Sequence, residues 1–210
     1  LYRAATKLAT YVELVENEHK LDGEFFSKVQ EIVKSLDKFS DIPGLKEFSN
    51  PESVIFKLLR KISKLRNQNR WVTHVSTVGC SVLAHLFDTA VFSYFMSLEQ
   101  EPDNERLATK RFFIGVFHDV PETWTKDIPS PVKDRIPGFR KASEEYELKA
   151  IEENVYQVVP PYMAKALKNV MMEDEENQEH KKLLKGADYL AADSECWRQY
   201  RACLLYTSDA

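Results

Sequence analysis

Glycine is scarce in this 210-residue chain, with six in all. Alternating apolar and polar runs are almost absent as well, so a strand-rich architecture is excluded and a helical one favoured. Cysteine is equally sparse: three residues, at 80, 196 and 203, with no CxxC pair. That supports neither a disulfide framework nor a thiolate zinc site, and it fits a reducing, cytoplasmic setting. No run approaches the roughly 18 apolar residues of a membrane-spanning helix, and no charged-then-apolar export signal is expected at its start. Positive charge is not in excess either, since 29 Lys and Arg face 33 Asp and Glu for a net charge of -4. A nucleic acid polymer or an anionic membrane is therefore not an expected partner, and any phosphate chemistry belongs to a local site acting on a small molecule.

What the chain does have is helical periodicity and enough apolar residues, 43% of the total, to bury one substantial core. Between Glu52 and Leu65, the residues Val54, Ile55, Leu58, Leu59, Ile62 and Leu65 form a stripe along one helix face. Ser81 to Leu98 reads as a longer, more apolar central helix, ended by the turn Glu101-Pro102-Asp103-Asn104. Arg106 to Phe117, Ser143 to Val158, Pro161 to Met172 and Lys182 to Arg201 read as further helices. Four prolines at 121, 129, 131 and 137 predict a stiff, ordered loop rather than a helix interior. The acidic run Glu173 to Glu176 reads as a solvated connection, as does Asp37 to Pro51 with its Pro and Gly.

The adjacent pair His118-Asp119 closes the apolar run Phe112 to Phe117. A His and a carboxylate leaving a buried element together offer one nitrogen and one oxygen to the same cation, so the pair reads as half of a metal site. Asp188, set among Leu183, Leu184, Ala187, Leu190 and Ala191, needs a partner, because an ionised group is not buried unpaired.

The order His85, then His118-Asp119, then Asp188 resembles the HD-domain metal-dependent phosphohydrolases. The stretch from Gly115 to Glu122, continued by Thr125 to Lys133, is similar to the branch containing bacterial 5'-deoxynucleotidases. Arg70-Trp71, fifteen positions before His85, and the segment Lys185-Gly186-Ala187-Asp188-Tyr189-Leu190 match that branch too. The resemblance runs from about Arg70 to Arg201 and implies an all-α HD-domain helical fold with an N-terminal helical extension.

It further implies that His85, His118, Asp119 and Asp188 hold one divalent cation. Their mixed nitrogen and oxygen set suits Co, Mn, Fe, Ni, Zn or Mg. The implied reaction is release of phosphate from a (deoxy)nucleoside 5'-monophosphate by attack of a metal-bound water. Glu122 and Asp127 would be the catalytic carboxylates; Arg70 and Lys133 would bind phosphate, and Trp71 would crowd a 2'-hydroxyl. A homodimer is expected from the resemblance alone. The chain departs from the family at Ala84, where a Glu commonly precedes the first ligand His; this bears on substrate choice or rate more than on metal binding. His19, His74 and His180 lack partners at ligand spacing and read as surface or structural residues. Two rival readings keep the fold: an HD hydrolase of another phosphorylated small molecule such as a cyclic nucleotide, and a non-catalytic helical regulatory or binding module.

The expected organisation is an N-terminal extension over 1-50, the HD domain over 51-203 and a non-native tail over 204-210. Starting at Leu1, the chain is also expected to lack its own N-terminus. Ala4 to Tyr11 has the texture of Gly186 to Ala192, with Thr6 where Asp188 stands. The extension thus reads either as the end of a degenerate upstream HD copy or as an ordinary helical addition.

Overall fold

A computed structural model describes residues 1-16, 23-71, 76-126, 128-171 and 178-208. Among them the expected all-α fold is found, with no strand and a lone antiparallel bridge between Asn69 and Ser81. His19, His74, Asp127 and the acidic run Glu173 to Glu176 lie outside the described residues. By their internal contacts the residues form two units, Leu1–Ser63 and Lys64–Ala210.

The first unit contains α1 (Tyr2–Glu16), α2 (Gly23–Leu36), α3 (Leu45–Ser49) and α4 (Val54–Ser63). Its core is Tyr11, Val12, Val15, Leu36, Leu45 and Phe56, with the Tyr11 and Phe56 rings 5.6 Å apart. The span from Asp37 to Pro51 is more than the connection expected from its composition. It holds a 3-10 turn (Asp37–Phe39) and the short α3, whose start is allowed by Gly44 in the left-handed region at φ 82°.

The second unit begins with a 3-10 turn (Lys64–Asn67) and continues with α5 (Val82–Gln100) and α6 (Glu105–Phe117). It then carries α7 (Glu122–Thr125), α8 (Ser130–Arg135), α9 (Phe139–Ile151), α10 (Pro161–Met171) and α11 (Gln178–Ser208). Ser81 caps α5 by accepting from the Ala84 amide at 3.2 Å, and Asn104 caps α6 by accepting from the Leu107 amide at 3.1 Å. The buried side of α5 is Val82, His85, Leu86, Thr89, Ala90, Ser93 and Ser97, at helical spacing. A His at 0% exposure on that face is positioned by the same periodicity that builds the core.

Two features lock α5, α6 and α11 together. At Gly115 of α6 an added Cβ would lie 2.6 Å from the Ala90 Cα and 2.9 Å from its nitrogen, so the two helices touch backbone to backbone. Arg111, 2% exposed, donates from Nη1 to Ser97 Oγ at 3.1 Å and Gln100 Oε1 at 2.9 Å, and from Nε to His180 Nδ1 at 3.2 Å. The third of these bonds gives His180 the structural place expected of it.

Three expectations need correction. The proline-rich span after Asp119 is not all loop, because α7 and α8 fit within it. Pro131 falls in the first turn of α8, where a missing amide costs nothing. The helix expected over Ser143 to Val158 starts earlier and ends earlier, changing at Glu152–Tyr156 into a π-helical turn. The last helix continues beyond Arg201 as far as Ser208.

Candidate active site

His85 projects from the first turns of α5, His118 caps the C-terminal end of α6, and Asp188 comes from α11. One ligand-capable atom from each lies within 4.8 Å of the others. The His85 and His118 ring centroids are 6.0 Å apart. Three of the four expected ligands thus converge from three helices. The fourth, Asp119, borders the group with Oδ2 3.2 Å from His118 Nε2.

The tautomers are set by the surroundings. His118 Nδ1–H donates to the Gly115 carbonyl at 2.8 Å, leaving Nε2 as the outward ligand atom. That Nε2 is buried and, among the described residues, has no partner of hydrogen-bond geometry. His85 Nδ1 lies 2.9 Å from Glu195 Oε1, and Nε2 lies 3.0 Å from Asp188 Oδ1. Donation of Nδ1–H to Glu195 directs the lone pair of Nε2 into the cluster.

The site gathers ionised carboxylates. Burial works to raise the Asp188 pKa, yet His85 and Lys185, whose Nζ is 2.8 Å from Oδ2, outweigh it and hold this carboxyl well below the usual range. Asp119 is also lowered, with burial outweighed by His118, and Glu195 is lowered, with burial outweighed by His85, Trp71 and Arg70. Both His85 and His118 titrate above the ordinary value, because neighbouring carboxylates overcome the effect of burial. Three ionised carboxylates around two imidazoles form a site that a divalent cation would neutralise. Two imidazole nitrogens, one of them the buried His118 Nε2 beside Asp119, together with carboxylate oxygens fit such an ion.

The remaining candidates fall into three situations. Glu122, 9% exposed, opens α7 three residues past Asp119, and its amide donates to the Asp119 carbonyl at 3.0 Å. Arg70 and Trp71 directly follow Asn69, whose bridge to Ser81 closes the approach to α5. Trp71 adopts φ 59°, a left-handed backbone that costs a bulky residue about 1–2 kcal/mol. Its Nε1–H donates to Glu195 Oε2 at 2.6 Å, and Arg70 Nε lies 3.6 Å from the same oxygen. Lys133 is held by Glu147, with Nζ 3.6 Å from Oε1. Thr125 and Ser143 hydroxyls each donate to that oxygen at 3.1 Å.

Glu195 is the residue that reading the sequence missed. It is 2% exposed and touches His85, Trp71 and Arg70 at once. One signal was available: it follows Asp188 by seven residues, about two helical turns, and so shares its face of α11. Cys80, just before the Ser81 cap, has its thiol pushed up to about 12 by burial and by the charge of Glu195, so it is protonated near neutral pH and is not a thiolate ligand.

Comparison with known proteins agrees with this geometry. The family model described as 5'-deoxynucleotidase YfbR-like matches residues 57–203. A 5'-deoxynucleotidase of Yersinia pestis (strain Pestoides F) is 25% identical over 143 residues, 67% of this chain and 72% of that protein. One of Yersinia pseudotuberculosis serotype O:1b (strain IP 31758) matches with the same figures, 25% over 143 residues, 67% and 72%. With most of its length matched by the family model and the His and Asp side chains gathered in one place, the chain belongs to the YfbR-like 5'-deoxynucleotidase family and is a hydrolase of the HD type.

Proposed function

We propose that the protein releases phosphate from deoxynucleoside 5'-monophosphates at a single divalent-cation site. The observation that carries this reading is the approach of His85, His118 and Asp188 to within 4.8 Å, in a chain of a nucleotide phosphohydrolase family. His85, His118, Asp119 and Asp188 are the residues that would hold the ion. When bound, it would supply positive charge to the phosphoryl oxygens and lower the pKa of a coordinated water.

The protein's own groups do the rest. Glu122, buried beside the ligands in sequence, orients the attacking water and takes its proton, and Asp127 serves the leaving oxygen. Arg70 meets the phosphate as a paired donor, with Lys133 as a further positive group near the pocket. Trp71 forms an apolar wall at the sugar and leaves no room or polar partner for a 2'-hydroxyl. Glu195 and Glu147 hold Arg70 and Lys133 from behind, so that neither cation has to be ordered by the substrate.

The test is phosphate release from dAMP, TMP, AMP and a cyclic nucleotide, with Mn or Co added and with a chelator. Hydrolysis of dAMP and TMP that the chelator abolishes is expected; no release from any monophosphate with either metal overturns the reading. Trp71→Ala should bring the dAMP-to-AMP ratio of kcat/KM down by about tenfold, the order expected when a steric wall is removed. A ratio equal to that of the wild type would remove Trp71 from sugar selection.

A further inference from the structure

Ala84, the residue before His85, carries no polar group, so the carboxylate behind the His85 ring comes from another helix. Glu195 of α11 supplies it, and both of its oxygens are engaged. Oε1 lies 2.9 Å from His85 Nδ1, while Oε2 accepts from Trp71 Nε1 at 2.6 Å and faces Arg70 Nε at 3.6 Å. One turn further along the helix, Gln199 Oε1 accepts from the amides of Thr77 and Val78 at 3.0 and 3.1 Å. Two successive turns of α11 therefore grip the segment that leads into α5.

We propose that Glu195 is a positioning residue that joins the cation site to the sugar and phosphate corner, through His85 on one oxygen and Trp71 with Arg70 on the other. The inference rests on the function proposed above. His85 Nδ1–H and Trp71 Nε1–H are two donors converging on one buried side chain, and only a carboxylate offers an acceptor oxygen to each. A buried donor left without an acceptor is costly, so the carboxylate selects the His85 tautomer that aims Nε2 at the ion and the Trp71 rotamer that faces the sugar. It also holds the left-handed backbone at Trp71, which a loop without an anchor would relax. Binding of cation and of nucleotide are thereby linked through one side chain that touches neither.

Glu195→Gln tests this with almost no change of volume. Its amide has one acceptor oxygen, so either Trp71 loses its acceptor or the amide NH2 donates to His85 Nδ1 and the ring proton moves to Nε2, the atom meant for the ion. The Mn(II) dissociation constant, read by calorimetry, should rise about 10- to 100-fold. At saturating Mn(II), KM for dAMP should rise about tenfold while kcat changes far less, since the chemical groups stay in place. Trp71 emission should shift in Glu195→Gln and not in the same variant on a Trp71→Phe background. On that background the added effect on KM should shrink to the part carried by Arg70, while the effect on Mn(II) affinity persists.

A role in stability alone predicts a lower unfolding midpoint with unchanged Mn(II) affinity and unchanged KM, and that result overturns the proposal. Should Glu195→Gln fail to fold, Glu195→Asp, which keeps the charge but shortens the reach, gives the same readouts; wild-type Mn(II) affinity and KM in it would also overturn the proposal. If the wild type binds Mn(II) but cleaves no nucleotide, the proposed nucleotidase function falls, and Glu195 is judged on Mn(II) affinity and Trp71 emission. A wild type that does not bind Mn(II) overturns both.

Discussion

Asp119→Asn should lower metal-dependent phosphate release by at least about 100-fold, because loss of a residue merely supporting a ligand already costs on the order of 10- to 100-fold and this residue is itself an expected ligand. The amide is nearly isosteric with the carboxylate, so neither packing nor helix content should change, and circular dichroism checks that. What changes is charge. Asp119 Oδ2 stands 3.2 Å from His118 Nε2, the buried nitrogen with no other use among the described residues. Neutralising it removes one of the three anions that make the site attractive to a cation. The drop should persist at saturating substrate and be only partly relieved by excess Mn or Co. Turnover close to that of the wild type would exclude Asp119 from the site.

Gly115→Ala should destabilise the protein by about 1–3 kcal/mol and weaken the site without touching any ligand. A helix interior ordinarily gains about 1 kcal/mol when Gly becomes Ala, so the sign of the effect is itself informative. Here the new methyl would meet the Ala90 Cα at 2.6 Å and the Ala90 nitrogen at 2.9 Å. These are backbone atoms and cannot swing away as a side chain would, so α5 and α6 must separate. His85 rides on α5 and His118 on the end of α6, and His118 Nδ1 is tied to the Gly115 carbonyl at 2.8 Å. Separation therefore spreads the two imidazoles, and Mn(II) affinity should fall together with the urea midpoint. A variant as stable as the wild type, or one less stable with unchanged Mn(II) affinity, would show that the close approach does not position the site.

The helices were legible because their boundaries rest on local chemistry. Ser81 and Asn104 are caps, and the stripe from Val82 to Ser97 has one periodicity from end to end. Three of the expected ligands meet as the motif order implied, since each sits on an element that the core pattern orients. The proline-rich span was harder, because proline at the start of a helix and proline in a loop read alike in sequence; α7 and α8 are short enough to begin at such positions. Glu195 escaped notice for a different reason. It lies among Asp193, Arg198 and Arg201, a composition typical of a solvated face, and its burial depends on a segment more than a hundred residues earlier folding back onto α11. A carboxylate with distant partners leaves little local trace. Lys133 likewise shows no sign in sequence of its pairing with Glu147, because that contact joins α8 to α9.

The backbone at Trp71, at φ 59°, sets a constraint on inheritance. Glycine occupies that conformation freely and asparagine fairly well, but neither carries a ring. Every substitution that eases the chain surrenders the indole, and every aromatic replacement inherits the twist. On the function proposed above, position 71 is therefore held by use rather than by folding, and loss of the pocket would remove the reason to keep the tryptophan.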